Sequence, residues 1–313
     1  MMTRPLTTDL SRRSLLAAAI LAPLAACSSQ DPLSSSASPS AGGSAVTVGS
    51  ANFAESQIIA EIYAAALEAK GLTVRRRMQI GARDVYVKAL QDGSIDLVPE
   101  YSGNLLQYLE PGASASDESS VMSALTKAAA GRKLAVGKPS AAQDADSWCV
   151  TSQFSAKHSV TSLADLAKVS GTLRVGGNPE LKERPYGPKG LTSVYGVPAS
   201  RISFTALSDS SGPLTIKALT SGSVDLVDLY TTTPAIKENG LVVLKDPKHL
   251  IVPQNVVPLM TSAVDAKARQ VLDAVSAKLT TDDLIAMNSR NQGDEKASAQ
   301  TVAKDWLKAK GLG

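Results

Sequence analysis

Apolar positions along this chain fall into two rhythms. Between Ala54 and Lys70 they recur at Ile58, Ile59, Ile62, Ala65, Ala66 and Leu67, the spacing that lays one stripe along a helix. Gly71 ends that run. Just before it, Val46-Thr47-Val48-Gly49-Ser50 reads as a short buried strand. Just after it, Leu72 to Ile80 alternates apolar residues with Arg75 and Arg77, which suits a strand with one wet face. Helical period returns over 82–92 and about 117–130, and 134–137 (LAVG) reads as a strand. The alternation then starts again. A short helix is expected after Thr161, with Asp165 nearby to help cap it. A strand follows from Leu173 to Val175, then a Gly/Pro-broken loop (176–190), a strand from Ile202 to Leu207, a helix over 213–221 and a strand from Leu241 to Leu244. The stretch 251–260, IVPQNVVPLM, is extended and punctuated by proline, and the remainder from Val264 is helical by period.

One piece of this pattern occurs twice. Residues 87–102 read VKALQDGSIDLVPEYS and residues 216–231 read IKALTSGSVDLVDLYT, with nine of sixteen positions identical. Each copy ends a helix, turns at Gly93 or Gly222 where a left-handed cap needs no side chain, and enters a short strand (Ile95 to Val98; Val224 to Val227). Each stops at a tyrosine, Tyr101 or Tyr230. The stretches VTVGSAN (46–52) and LRVGGNP (173–179) keep nearly the same offset. Two like-built units in series point to an α/β fold of two lobes facing one cleft; a single doubly wound sheet is the alternative. The extended segment 251–260 would return the chain to the first lobe. Lobe 1 is then 46–145 plus 257–313, lobe 2 is 146–256, and two crossover strands form a hinge that closes on a ligand.

The first 45 residues follow neither rhythm. Arg4, Arg12 and Arg13 precede an apolar run from Leu15 to Ala26, too short to span a bilayer, so residues 1–26 read as an export signal. Leu24-Ala25-Ala26-Cys27 resembles a bacterial lipobox, which makes Cys27 the lipidated first residue of the mature protein; plain secretion is the alternative. The twin arginines leave the choice of export route open. Eight of residues 28–45 are Ser, a composition that cannot bury enough apolar surface to order itself, so this stretch reads as a tether.

Composition narrows the chemistry. A net charge of +3 over 313 residues implies neither nucleic acid nor a strongly acidic partner. Two cysteines 122 apart and two histidines 91 apart match no zinc or haem spacing. No phosphate-binding, dinucleotide or nucleophile-elbow motif is present. No metal or cofactor is therefore expected. Aromatic residues are only 4% of the chain, which gives weight to where each one falls. Cys149, left alone once Cys27 carries lipid, reads as a buried free thiol.

The phrases VGSANFAESQIIAEIYAAALEAKG, ALQDGSIDLVPEYSG and VDLYTTT resemble the osmoprotectant-binding proteins of quaternary-amine ABC importers, over about residues 46–310. The resemblance implies a type II periplasmic-binding fold, no catalysis, and a lipid-anchored monomeric receptor outside the cytoplasmic membrane. That receptor would hand glycine betaine, choline or carnitine to a permease. It also implies a site. A trimethylammonium group cannot donate hydrogen bonds and is held by aromatic faces, while a carboxylate end wants Arg or backbone N–H. Tyr101 and Tyr230 match two cage tyrosines, Trp148 stands where the family has a third, and Asn255 falls where a fourth ring is usual. Arg184 aligns with the arginine that holds the ligand carboxylate. Ala51 replaces a lysine and Asn104 a threonine; Asn52 and Thr231 complete the expected site. The missing ring and cation imply weak binding of simple betaines and a better ligand that is larger, aromatic or polyhydroxylated.

Each residue also has a plainer reading. Tyr101 and Tyr230 could cap their strands in the core, Trp148 could be hinge packing, Arg184 a surface ion pair, and Asn255 a turn residue beside Pro253. A secreted hydrolase would need His158 or His249 in the cleft. A sensory or adhesive module would share the fold without the transport.

Overall fold

The structure is a computed structural model that describes residues 45–313 apart from 114, 116 and 210. The expected export signal, Cys27 and the tether up to Ser44 lie outside the described residues. The first sheet is built from β1 (Val46–Gly49), β2 (Val74–Arg77), β3 (Leu97–Tyr101) and β4 (Ala135–Val136). Its helices are α1 (Ala54–Ala69), α2 (Arg83–Gln91), α3 (Ser102–Leu109) and α4 (Glu118–Gly131). The chain then passes to the second sheet: β5 (Asp146–Thr151), α5 (Ser152–His158), β6 (Leu173–Gly177), α6 (Pro188–Ser193), β7 (Ile202–Ala206), α7 (Pro213–Thr220), β8 (Leu226–Tyr230), α8 (Ala235–Glu238) and β9 (Leu241–Val243). It returns through β10 (Val256–Met260) and closes with α9 (Ala266–Ser276), α10 (Thr281–Gln292) and α11 (Ala299–Ala309).

The strand orders are β2-β1-β3-β10-β4 and β7-β6-β8-β5-β9. They are the same sheet built twice. Each has three parallel strands followed by one antiparallel strand that enters straight from the other sheet. This is the two-lobed α/β architecture expected from the repeat. The first lobe holds a core on each face of its sheet. On one face Ile58, Ile62 and Leu67 of α1 pack with Leu272 of α9 and Val302 and Trp306 of α11. On the other, Leu90, Leu105, Leu125 and Val257 pack together. Hence the C-terminal helices belong to the first lobe. The second lobe buries Trp148, Leu163, Leu173 and Leu226 on one face and Cys149, Leu219 and Val227 on the other.

The repeat is kept down to single hydrogen bonds. Gly93 and Gly222 take positive φ, +77° and +74°, and the amides after them return to Ala89 and Ala218. Asp96 then clamps Thr47: its N–H donates to the Thr47 carbonyl (2.8 Å) and its carboxylate accepts the Thr47 N–H (2.8 Å). Asp225 does the same to Arg174 (2.7 and 2.9 Å). This clamp explains why the strands begin two residues later than the apolar run suggests. They reach Tyr101 and Tyr230 instead of stopping at Val98 and Val227. Helix α3 is not in the expected pattern; it starts directly at Tyr101 and buries Leu105, Leu106 and Leu109. Part of the expected loop 176–190 is also helical, as α6.

The two passages between lobes run side by side. Ser140 donates to the Val256 carbonyl and Val256 to that of Ala142, both at 2.9 Å, and Asp144 donates to the Gln254 carbonyl at 3.2 Å. Thr231 is tied to the first passage: its amide donates to the Ala145 carbonyl (2.9 Å) and its hydroxyl accepts the Ala145 N–H (3.0 Å).

Candidate functional site

Both tyrosines of the repeat stand beside the passages, because each ends the strand that meets the incoming chain. Tyr101 lies opposite Val256 and Tyr230 opposite Asp146. The Tyr101 hydroxyl donates to Glu55 Oε1 at 2.6 Å. Phe53 stacks on the same ring, with centroids 6.2 Å apart and planes 29° apart, and is 43% exposed. Glu55 sits in the first turn of α1, and its other oxygen accepts from Asn288 Nδ2 at 2.6 Å. Asn288 also reaches the Thr232 carbonyl at 3.5 Å, and the Thr232 hydroxyl donates to Asp144 Oδ1 at 2.8 Å. One polar chain thus runs from Tyr101 through Glu55 and Asn288 to the loop after β8 and on to the first passage.

In the second lobe the register Asp146↔Tyr230 and Trp148↔Asp228 puts these four residues on one face of β5 and β8. Asp146 and Asp228 are buried and their carboxyl groups meet. The Tyr186 hydroxyl and the Arg184 charge lie near Asp146. Burial pushes the carboxyls of Glu55, Asp144, Asp146 and Asp228 above the ordinary range. Neighbouring carboxylates add to this at Asp144 and Asp228. Burial, and the same carboxylates, also raise the phenols of Tyr101, Tyr186 and Tyr230. The site is thus rich in aromatic faces and in carboxyl groups that ionise less readily than usual.

The expected residues separate into two groups. Tyr101, Tyr230 and Arg184 gather around these acids. Asn52 and Arg184 are exposed, and Asn104 is half-buried with its amide on Gln254 Oε1 at 2.9 Å. Asn255 belongs elsewhere. It is fully buried, its Nδ2 donates to the Ser140 carbonyl at 2.8 Å and its amide to Ser102 Oγ at 3.0 Å. It fastens the two passages together. Thr231 is likewise a hinge residue. Trp148 is 1% exposed in the second-lobe core, with its indole N–H on the Tyr186 carbonyl at 3.2 Å. Its remaining edge lines a cavity of about 260 Å³ together with Asp146, Thr231, His249 and Pro253.

The carboxyl groups, Phe53, Tyr186 and Asn288 were not among the expected residues. Four acids spread over residues 55 to 228 share no period, and only the pairing register brings them together. Phe53 and Tyr186 could have been found, since they adjoin Asn52 and Arg184 within two residues. Among the described residues no group of three or more His, Cys, Asp or Glu is placed to hold a metal ion. No described helix is long and apolar enough to cross a membrane. His158 stacks on Phe154 at 4.6 Å, and Cys149 is a buried free thiol pushed up to about 12 by burial.

Comparison with known proteins bears on what this cleft serves. The chain is 28% identical over 280 residues to the glycine betaine-binding protein YehZ of Escherichia coli, covering 86% of this chain and 91% of that one. It is 26% identical over 266 residues to the ergothioneine transport permease/ergothioneine binding protein EgtU of Helicobacter pylori, covering 82% of this chain and 46% of that one. Its fold superposes on that of apo YehZ with a TM-score of 0.71 at 26% identity, over 87% of this chain and all of the other. A crystal structure of a glycine betaine/carnitine/choline ABC transporter gives 0.75 at 21% identity, over 85% and 99% of the two chains, a likeness of fold. A family profile described as the substrate binding domain of ABC-type glycine betaine transport systems matches residues 44–309. That match spans both lobes and the hinge, and the chain belongs to this family of extracytoplasmic solute-binding proteins, which deliver compatible solutes to ABC permeases and are not enzymes.

Proposed function

We propose that the space between Tyr101 and Tyr230 is where this receptor takes its solute, a small molecule with a methylated ammonium group. The observation that carries the reading is the pairing of aromatic faces with carboxyl groups at the hinge. Tyr101 is held by Glu55 and stacked by Phe53, and Tyr230 faces Asp146 and Asp228. Aromatic faces attract a cation that has no hydrogen-bond donor, each by about 0.5–2 kcal/mol, and a cation bound there would favour ionisation of the buried carboxyl groups beside the rings. Arg184 would meet a carboxylate at the other end of a zwitterion. The two lobes would divide at about residues 145/146 and 256/257 and rotate about the paired passages.

Removing one ring tests the reading. Calorimetry with glycine betaine, choline and carnitine should give saturable binding to at least one of them. Tyr101→Ala and Tyr230→Ala should each weaken it roughly 2- to 30-fold, the range set by one cation–π contact. Unchanged affinity in both variants would remove the tyrosines from the site. A larger, ring-bearing solute is the second reading. Phe53 favours it, since it extends the aromatic surface outward from Tyr101, and so does the relative named for ergothioneine.

The same reading extends to the membrane. Cys27 would carry lipid and the Ser-rich stretch after it would supply reach, holding a monomeric receptor at the outer face of the cytoplasmic membrane beside its permease. Cys27→Ala should move the protein from the membrane fraction to the soluble one; retention in the membrane would count against the anchor.

A further inference from the structure

From the acceptors stranded around the hinge we infer that the preferred solute of this receptor carries an O–H or N–H donor in addition to its methylated ammonium, and sets that donor on the Asp146/Asp228 carboxyl pair. The inference rests on the reading of the cleft given above and narrows it. Glycine betaine has no such donor; choline and carnitine have a hydroxyl, and ergothioneine has ring N–H groups.

The starting point is Asp228. It is 3% exposed, it stands on the same face of β8 as Tyr230, and its Oδ1 has no hydrogen-bond partner. Its carboxyl group meets that of Asp146, which is itself 8% exposed. Two carboxyl groups in contact are both acceptors, so they must share a proton or receive a donor from a third group. The groups around the pair supply little. The Tyr186 hydroxyl lies near Asp146 and the Ser147 amide near Asp228, Arg184 is exposed, and Asp144 and Glu180 add only negative charge near Asp228 or Tyr230.

One further atom points the same way. Asn288 Oδ1 is buried and unpartnered, in a residue that is 4% exposed. Asn288 holds Glu55 beneath Tyr101, so it belongs to the first-lobe side of the same polar chain. Asp228 Oδ1 and Asn288 Oδ1 are both stranded beside the hinge, and an amide oxygen can only accept. The stranded groups of the described residues that can donate, on Tyr63, Arg201, Ser276 and Trp306, belong to α1, the second lobe, α9 and α11. A buried acceptor without a donor costs more than a made hydrogen bond returns. Solvent can donate to these atoms while the cleft is open, but a solute that displaces it has to bring a donor of its own. Sites with buried polar groups reject analogues that cannot pair with them more strongly than apolar pockets reject a change of size.

The test is isothermal calorimetry on the wild-type protein with five compounds: glycine betaine, choline, the O-methyl ether of choline, carnitine and ergothioneine. The ether keeps the trimethylammonium group and the oxygen of choline and lacks only the donor. The tightest binder should be one that carries an O–H or N–H, and choline should bind at least tenfold more tightly than its ether. In Asp228→Asn that ratio should fall below about threefold. If glycine betaine or the ether equals the best donor-bearing compound, the inference is wrong while the quaternary-amine reading stands. If none of the five binds, the reading of the cleft falls and the inference falls with it.

Discussion

At the scale of single residues, the buried acids of the cleft have a measurable consequence. Glu55, Asp144, Asp146 and Asp228 are held above the ordinary carboxylate range, chiefly by burial. The folded protein therefore binds protons that the unfolded chain has already released. Their contribution to stability is complete below the usual carboxylate range and is lost as pH rises through their folded values. The melting temperature of the free protein should fall over that window, and Asp144→Asn should flatten the fall. A cationic solute profits from the charges that form, so its stabilising shift should grow with pH. Thermal melts from pH 4.5 to 8, with and without choline, check both slopes; parallel curves for the variant and the wild type would count against the assignment. The tyrosines of this site were legible in the sequence because the repeat marks them. The acids were not, because neither spacing nor composition shows which distant carboxyls a strand register will place together. Asn255 carries a part that the motif did not show: its side chain and amide hydrogen-bond Ser140 and Ser102 where the two passages join.

At the scale of elements, the clamp made by Asp96 and Asp225 determines where each repeat strand starts. Each carboxylate holds the backbone of the neighbouring parallel strand. Asp96 also accepts from the Thr261 hydroxyl at 3.3 Å, and its carbonyl accepts the Thr261 amide at 2.9 Å, so it joins β1, β3 and the end of β10. A hydrogen bond to a charged acceptor is worth about 2 kcal/mol. Asp96→Ala should lower unfolding free energy in urea by about that amount; Asp225→Ala, with its exposed Arg174 partner, should cost less. Equal and negligible losses would show that the strands hold their register without the clamp. Helices and strands of this size were readable from period because their buried faces are regular, as in α1. The ends were less readable: an apolar run marks what is buried, and the first strand hydrogen bond is set by a polar residue inside it. Helix α3 escaped because Tyr101 ends a strand and caps a helix at the same residue.

At the scale of the molecule, both ring-bearing strands are tied to the passages about which the lobes would turn. A rotation there moves Tyr101 and Tyr230 relative to each other while leaving each sheet intact. Small-angle scattering should show a smaller radius of gyration at saturating solute; a superimposable profile would dismiss closure while leaving binding untouched. The two-lobed plan was legible because the repeat is long. The closeness of the two passages was not, since Ser140, Ala142 and Asp144 meet Val256 and Gln254 through backbone hydrogen bonds that leave no trace in residue type.

The order of strands also sets a timetable for the newborn chain. Every strand of the second sheet lies between Asp146 and Val243, so that lobe has all its strands once the chain has emerged to that point. The first sheet waits longer. Its strand β3 has β1 on one side, but the other side stays unpaired until Val256–Met260 arrives, and the Ile58 face of α1 stays bare until α9 and α11 follow. The lobe that is started first is therefore finished last. For most of its synthesis and export the protein carries one open sheet edge and one uncovered apolar helix face, and only the final sixty or so residues close them.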